Sequence, residues 1–188
     1  MYKIFFIIFS IFLLNFSPVF GEKVIVFEFT EEEKKILKVR KVKKTTTYTL
    51  GSNDKGNFLK AEAQGVASGL GKELKINLNK TPYINITWKV EEDLSGIEEN
   101  SKKGHDYAAR VFVIKKTGAT ALSNRAINYV FSSNKSVGEN WPSPFTKKSI
   151  DYVLSTTKKN KNEWVTVKAN VKEDFKTLHG LDVNELNG

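Results

Sequence analysis

Apolar and polar residues alternate along much of this chain, and clusters of Gly, Asn, Ser and Pro punctuate the alternation. Over residues 83–90, Ile84, Ile86, Trp88 and Val90 face one way while Asn85, Thr87 and Lys89 face the other, which predicts a half-buried strand with Trp88 in the core. Leu74, Ile76 and Leu78 do the same over residues 72–78. Residues 125–132, 149–156 and 162–171 read as three more strands with turn-rich connections between them. Residues 45–50 and 57–64 flank a Gly/Asn/Asp cluster and predict a hairpin, and residues 23–29 have the content of an edge strand.

Helical signals are few and short. Thr30 with Glu33 three residues later is a capping-box pattern, and acids precede bases through the segment that follows. Asn170 with Glu173 repeats the signal, Val171, Phe175 and Leu178 form one helical face, and Gly180 is the stop. About nine strands and one or two short helices predict an all-β fold, an antiparallel β-sandwich of jelly-roll type. Its single domain is expected over residues 22–180, followed by a loosely attached tail at 181–188.

The stretch Gly104-His105-Asp106-Tyr107-Ala108-Ala109-Arg110-Val111-Phe112-Val113-Ile114 carries chemistry into what reads as a central strand. If the strand period runs through all of it, Asp106, Arg110 and Phe112 share one face, and His105 and Tyr107 share the other. His105 and Asp106 then form no dyad by adjacency. Trp141 sits in Gly138-Glu139-Asn140-Trp141-Pro142-Ser143-Pro144-Phe145, read as a stiff proline-bearing loop whose ring is free to stack. Asp106, Tyr107, Arg110 and Trp141 are therefore the candidate ligand-binding residues: a charged pair for hydrogen bonds and rings for stacking, as polar polymers such as glycans require.

Composition narrows the setting. Residues 1–21 have the charge at Lys3, the apolar run over residues 4–16 and the small residue at Gly21 expected of a secretory signal peptide; the apolar run is short for a membrane span, and no later segment qualifies. The chain contains no cysteine, so an exported form gains nothing from disulfides, which fits a bacterial periplasm or exterior. The formal charge is +9, and its densest stretch is residues 38–44, read as a solvated helix end or linker in preference to a contact for an anionic surface. The partner expected from this balance is a glycan or another anionic or polar envelope polymer, with nucleic acid disfavoured.

Other chemistries lack a signature. Two histidines and no cysteine offer no metal-ligand spacing, so no metal is expected. Ser68-Gly69-Leu70-Gly71 is not followed by the Lys-Ser/Thr of a phosphate loop, no nucleophile elbow is present, and no cofactor is expected. The acids between Glu91 and Glu99 lack the spacing of a calcium loop and read as a solvated loop. A non-catalytic binding or envelope-associated module is favoured over a carbohydrate-active enzyme, whose paired carboxylates would meet only in three dimensions.

Ordered short motifs carry a resemblance. Leu59-Lys60-Ala61-Glu62-Ala63, Ala67-Ser68-Gly69-Leu70, Ile86-Thr87-Trp88-Lys89-Val90, Lys103 to Val111, Asn128-Tyr129-Val130, Trp141-Pro142-Ser143-Pro144, Trp164, and Asn170-Val171 ahead of Asp174-Phe175 resemble the exported bacterial family called domain of unknown function 3047. The resemblance covers about residues 48–180 and implies export and an all-β domain, but no activity. The family usually has Asp where this chain has His105 and Arg where it has Ala169, and it tends to continue past its last helix into an Asp-rich segment and a closing strand. A tail truncated relative to the family, with one sheet edge uncovered, is the expectation that follows.

Overall fold

The computed structural model describes residues 22–187, so the expected signal over residues 1–21 lies outside the described residues. The chain is mostly β and its sheets are largely antiparallel. In order it forms α1 (Glu31–Ile36), β1 (Lys38–Lys43), β2 (Thr47–Asn53), β3 (Gly56–Glu62), β4 (Ala67–Gly71), β5 (Lys75–Asn77), β6 (Tyr83–Trp88) and β7 (Ala109–Lys115). There follow β8 (Arg125–Ser132), β9 (Asn140–Ser143), β10 (Thr146–Thr156), α2 (Thr157–Asn160), β11 (Val165–Asn170), α3 (Val171–His179) and β12 (Glu185–Asn187).

The organising sheet has the order β7-β8-β10-β9. From β8 the chain crosses to the outer position to lay β9, turns tightly, and returns so that β10 inserts between them. As a result β10 runs parallel to β8 but antiparallel to β9, the one parallel pairing among strands that are otherwise antiparallel among the described residues. Pro142 is accommodated because β9 is an edge strand, where a missing N–H leaves no ladder bond unmade.

One face of this sheet builds the main core. Ile127, Tyr129 and Phe131 of β8 and Val113 of β7 meet Ile86 and Trp88 of β6, Ala169 of β11, and Val171 and Phe175 of α3. The Trp88 ring packs 5.3 Å from that of Phe131, and its Nε1–H donates to Ser155 Oγ at 3.1 Å, so the indole is both buried and satisfied. The β6–β11 ribbon, in antiparallel register, thus lies across the sheet's inner face.

Both capped helices form where the capping signals place them. Thr30 Oγ1 accepts from the Glu33 N–H at 3.1 Å, Asn170 Oδ1 accepts from the Glu173 N–H at 3.2 Å, and Gly180 closes α3 at φ 67°. The hairpin β2–β3 also forms, turning at Asn53 to Gly56.

Three local expectations are overturned. Residues 23–29 are not a strand: Glu33 Oε2 accepts from the Glu28 and Phe29 N–H groups, both at 2.8 Å, so those donors are not available to a ladder, and Phe29 sits at φ 52°. Residues 38–43 are strand β1, paired with β4, not a helix end or linker. The segment 181–187 is not a loose tail, because β12 pairs with β5 and Val183 and Leu186 are buried in the main core.

His179 ends α3 half-buried, its Nε2 lying 3.0 Å from the Ala126 carbonyl oxygen, so Nε2–H is the donor. Burial holds this imidazole below its ordinary pKa; the Ala126 carbonyl opposes the effect and the Arg125 charge adds to it. A histidine depressed on folding stabilises the native state fully above its unfolded value, and that stability is lost as pH falls through the folded value. Melting temperature is therefore expected to drop on acidification from about pH 7 to about pH 5, and His179→Gln should make the drop shallower. An identical pH profile in the variant would contradict this.

Candidate functional site

The opposite face of the four-stranded sheet holds the polar cluster. Strand register lines up Phe112 of β7, Asn128 of β8, Asp151 of β10 and Trp141 of β9 in one row across it. Adjacent strands are about 4.8 Å apart, so these side chains are neighbours although they come from four separate parts of the chain. Asp151 has no exposed surface, and both its oxygens are taken. Oδ1 accepts from Asn128 Nδ2 at 2.7 Å, and Oδ2 lies 2.8 Å from His105 Nε2. Asn128 Nδ2 also donates to Ser149 Oγ at 2.9 Å, while its Oδ1 is buried without a partner among the described residues.

The Asp151 carboxylate can only accept, so His105 carries its proton on Nε2. In a neutral ring this leaves Nδ1 as an acceptor. The imidazole is gripped edge-on by Tyr107 at 5.3 Å and Phe145 at 5.4 Å between ring centroids. Gly104 starts this segment because a Cβ there would collide with the Glu98 backbone carbonyl.

Residues 105–108 do not continue the β7 period. The Asp106 N–H donates to the Gly104 carbonyl at 2.7 Å and Asp106 Oδ1 accepts from the Tyr107 N–H at 2.9 Å, so the chain turns before β7 begins at Ala109. The expectation that His105 and Tyr107 face away from Arg110 and Phe112 is therefore wrong. Tyr107 packs with Val130 and Val153 on the Arg110 side, and the Arg110 guanidinium lies 5.5 Å from the Tyr107 ring centre and 5.3 Å from that of Phe112. No ion pair or hydrogen bond engages this guanidinium among the described residues. Phe112 is 51% exposed beside it, and Phe145, packed on His105, is 66% exposed.

Of the four candidate residues, the fold brings Tyr107, Arg110 and Trp141 together. Tyr107 and Trp141 rings are 6.5 Å apart. Asp106 is exposed and close in sequence, but its Oδ1 is taken by the Tyr107 N–H. Trp141 is not in a loop: it belongs to β9, packs half-buried against the Tyr107 cluster, and its Nε1 is buried without a partner among the described residues. Burial, and then the Asp151 carboxylate, push the Tyr107 phenol far above its ordinary pKa, so it acts as a neutral hydrogen-bonding group.

Four residues were not picked out as part of the site. Asp151 and Asn128 lie inside segments read simply as strands, and a polar residue at a core position of each was the available signal. Phe112 and Phe145 add its exposed rings. Glu99, expected in a solvated loop, has no exposed surface; it accepts from the Ser132 hydroxyl, from the Ser133 N–H at 2.8 Å and from the Asn134 N–H and Nδ2 at 3.3 Å. It pins segment 91–104 to the end of β8. Among the described residues no group of His, Asp and Glu is arranged to hold a metal ion.

The two positions at which the chain departs from the resembled family do not share a site. His105 sits on Asp151, while Ala169 is buried in the core on the other side of the sheet. No curated protein and no solved structure matches the chain. The model of the family described as protein of unknown function DUF3047 matches residues 33–188, from α1 through β12, and the chain belongs to that family.

Proposed function

We propose that the chain is an exported, non-catalytic binding module of the bacterial envelope, which holds a glycan or another anionic or polar polymer against the outer face of its four-stranded sheet. The observation that carries this reading is the Arg110 guanidinium, stacked between the Tyr107 and Phe112 rings with no carboxylate partner. A cation held in place by rings keeps its donors for an incoming oxygen, and the exposed Phe112 and Phe145 rings add stacking faces. Trp141 supports the platform from β9. The finer architecture belongs to the same proposal: the β6–β11 ribbon facing the sheet makes a partial sandwich, smaller than the two four-stranded sheets of a jelly roll.

The His105–Asp151 pair favours a second reading, acid–base chemistry on a carbohydrate. Glycoside hydrolysis, however, needs two carboxylates flanking one bond. Asp151 and Glu99 are both fully enclosed, and two open clefts of about 400 and 350 Å3 lie away from this face, one beside α3 and one along β5 and β12. This supports binding over turnover.

Arg110→Gln and Phe112→Ala are expected to abolish retention on a glycan array while lowering stability by only about 1 kcal/mol each, since both act at a partly exposed cation–π contact. Trp141→Ala is a poorer probe, because it also opens the Tyr107 cluster. A parent protein that retains no glycan or acidic polymer ends the proposal. Turnover of such a polymer would replace it with the enzymatic reading.

A further inference from the structure

A second surface, independent of the sheet face, is built by α1, β1 and β4. Seven of the eleven residues from Lys34 to Lys44 are basic and none is acidic. Every residue of β1 is exposed. Its partner strand β4 reads Ala-Ser-Gly-Leu-Gly, and the register sets Lys38 opposite Gly71, Arg40 opposite Gly69 and Lys41 opposite Ser68. With almost no side chains across from them, the basic groups stand clear of the ribbon. None of the seven forms an ion pair among the described residues, and the nearest acid in sequence, Glu33, is buried and paired with Lys72.

Aliphatic side chains stand among these cations. Val42 is 76% and Ile36 68% exposed, and Val39 is exposed as well. The element that presents them is held firmly. Thr46 and Ser68 exchange side-chain to backbone hydrogen bonds at 2.9 and 3.2 Å, and Tyr48 Oη donates to the Ser68 carbonyl at 2.6 Å. Buried Glu33 pairs with Lys72, which ties α1 to the end of β4.

We infer that this ribbon is a docking surface for an anionic lipid bilayer. Cations and water-exposed aliphatic groups on one rigid edge match the two layers of a membrane interface, where headgroup phosphates meet acyl chain. A soluble polyanion would satisfy the charges and leave Val42 and Ile36 in water.

The test is co-sedimentation of the full chain with vesicles of phosphatidylglycerol and phosphatidylcholine, compared with phosphatidylcholine alone. Two variants are made in the same full chain, so residues 1–21 are common to all. The first combines Lys38→Gln, Arg40→Gln, Lys41→Gln and Lys43→Gln; the second combines Ile36→Ser and Val42→Ser. All replaced groups are exposed, so melting temperatures should match the parent. The parent should prefer the anionic vesicles, the glutamine variant should lose that preference by roughly 100-fold or more, and the serine variant should bind vesicles several-fold more weakly while being retained on dextran sulfate like the parent. No preference for anionic vesicles in the parent overturns the inference, as does a glutamine variant that keeps it. Unchanged vesicle binding by the serine variant overturns it in favour of a soluble polyanion.

Discussion

Asp151→Ala is expected to cost about 3–5 kcal/mol of stability, a large part of what a domain of this kind possesses. The carboxylate has no exposed surface, and its removal leaves the His105 Nε2–H and one Asn128 N–H pointing into an enclosed space. Asp151→Asn should be milder, at about 1–2 kcal/mol. The new amide oxygen can still accept from Asn128, and its NH2 can donate to His105 once the ring moves its proton to Nδ1. That swap would turn the outward atom of the imidazole from an acceptor into a donor, so ligand retention should suffer more than stability. Urea unfolding of the two variants checks both figures; an alanine variant within about 1 kcal/mol of the parent would mean that the enclosed network contributes little.

Ending the chain after Gly180 is expected to be as damaging. Truncation removes Val183 and Leu186 from the main core, and each buried aliphatic side chain contributes roughly 1.5–3 kcal/mol. It also deprives the Leu78 N–H of the Asn184 carbonyl at 2.9 Å and Lys115 Nζ of the Glu185 carbonyl at 2.8 Å, and exposes the β5 edge. A loss of about 4 kcal/mol or more should follow, with aggregation visible by size exclusion. A truncated chain that stays monomeric and melts with the parent would show that β12 is dispensable.

This segment also shows what periodicity does not convey. Residues 181–187 carry three apolar residues, Leu181, Val183 and Leu186, and the three-residue step from Val183 to Leu186 breaks the period of two, so the pattern is too short to announce a strand. Its structure comes from β5, which offers an open edge beside the core. The same reason explains β9. Two prolines made residues 140–145 look like a loop, yet an edge position tolerates Pro142 because its outward side makes no ladder bond. The basic run at 38–44 misled differently: charge density says that a segment is solvated, and both a helix end and a two-stranded ribbon are solvated.

The site was legible in part. The proximity of Tyr107, Arg110 and Trp141 was legible, from a stretch that carries polar and aromatic groups into an apolar strand and a tryptophan in a separate Pro-bearing segment. The facing of His105 was not, because the strand period was carried back through Asp106. That residue's side chain accepts from the Tyr107 N–H where the chain turns, and the alternation is reset. Phe145 and Phe112 were hidden among thirteen phenylalanines, most of which the pattern assigns no particular role.

By itself the sequence determined the local elements whose signals are complete within a few residues. The caps at Thr30 and Asn170, the stop at Gly180, the β2–β3 turn and the inward face of Trp88 depend on neighbouring backbone groups or on a period of two, and these need no distant partner. Only the tertiary structure decided that β10 enters between β8 and β9. Strand order has no local signature, because any exposed edge can accept any strand of suitable pattern, and packing of the whole core selects among them. With that one insertion Asp151 comes to lie between Asn128 and Trp141 and under His105, 46 residues away in the chain, and a row of unremarkable strand residues becomes the candidate site.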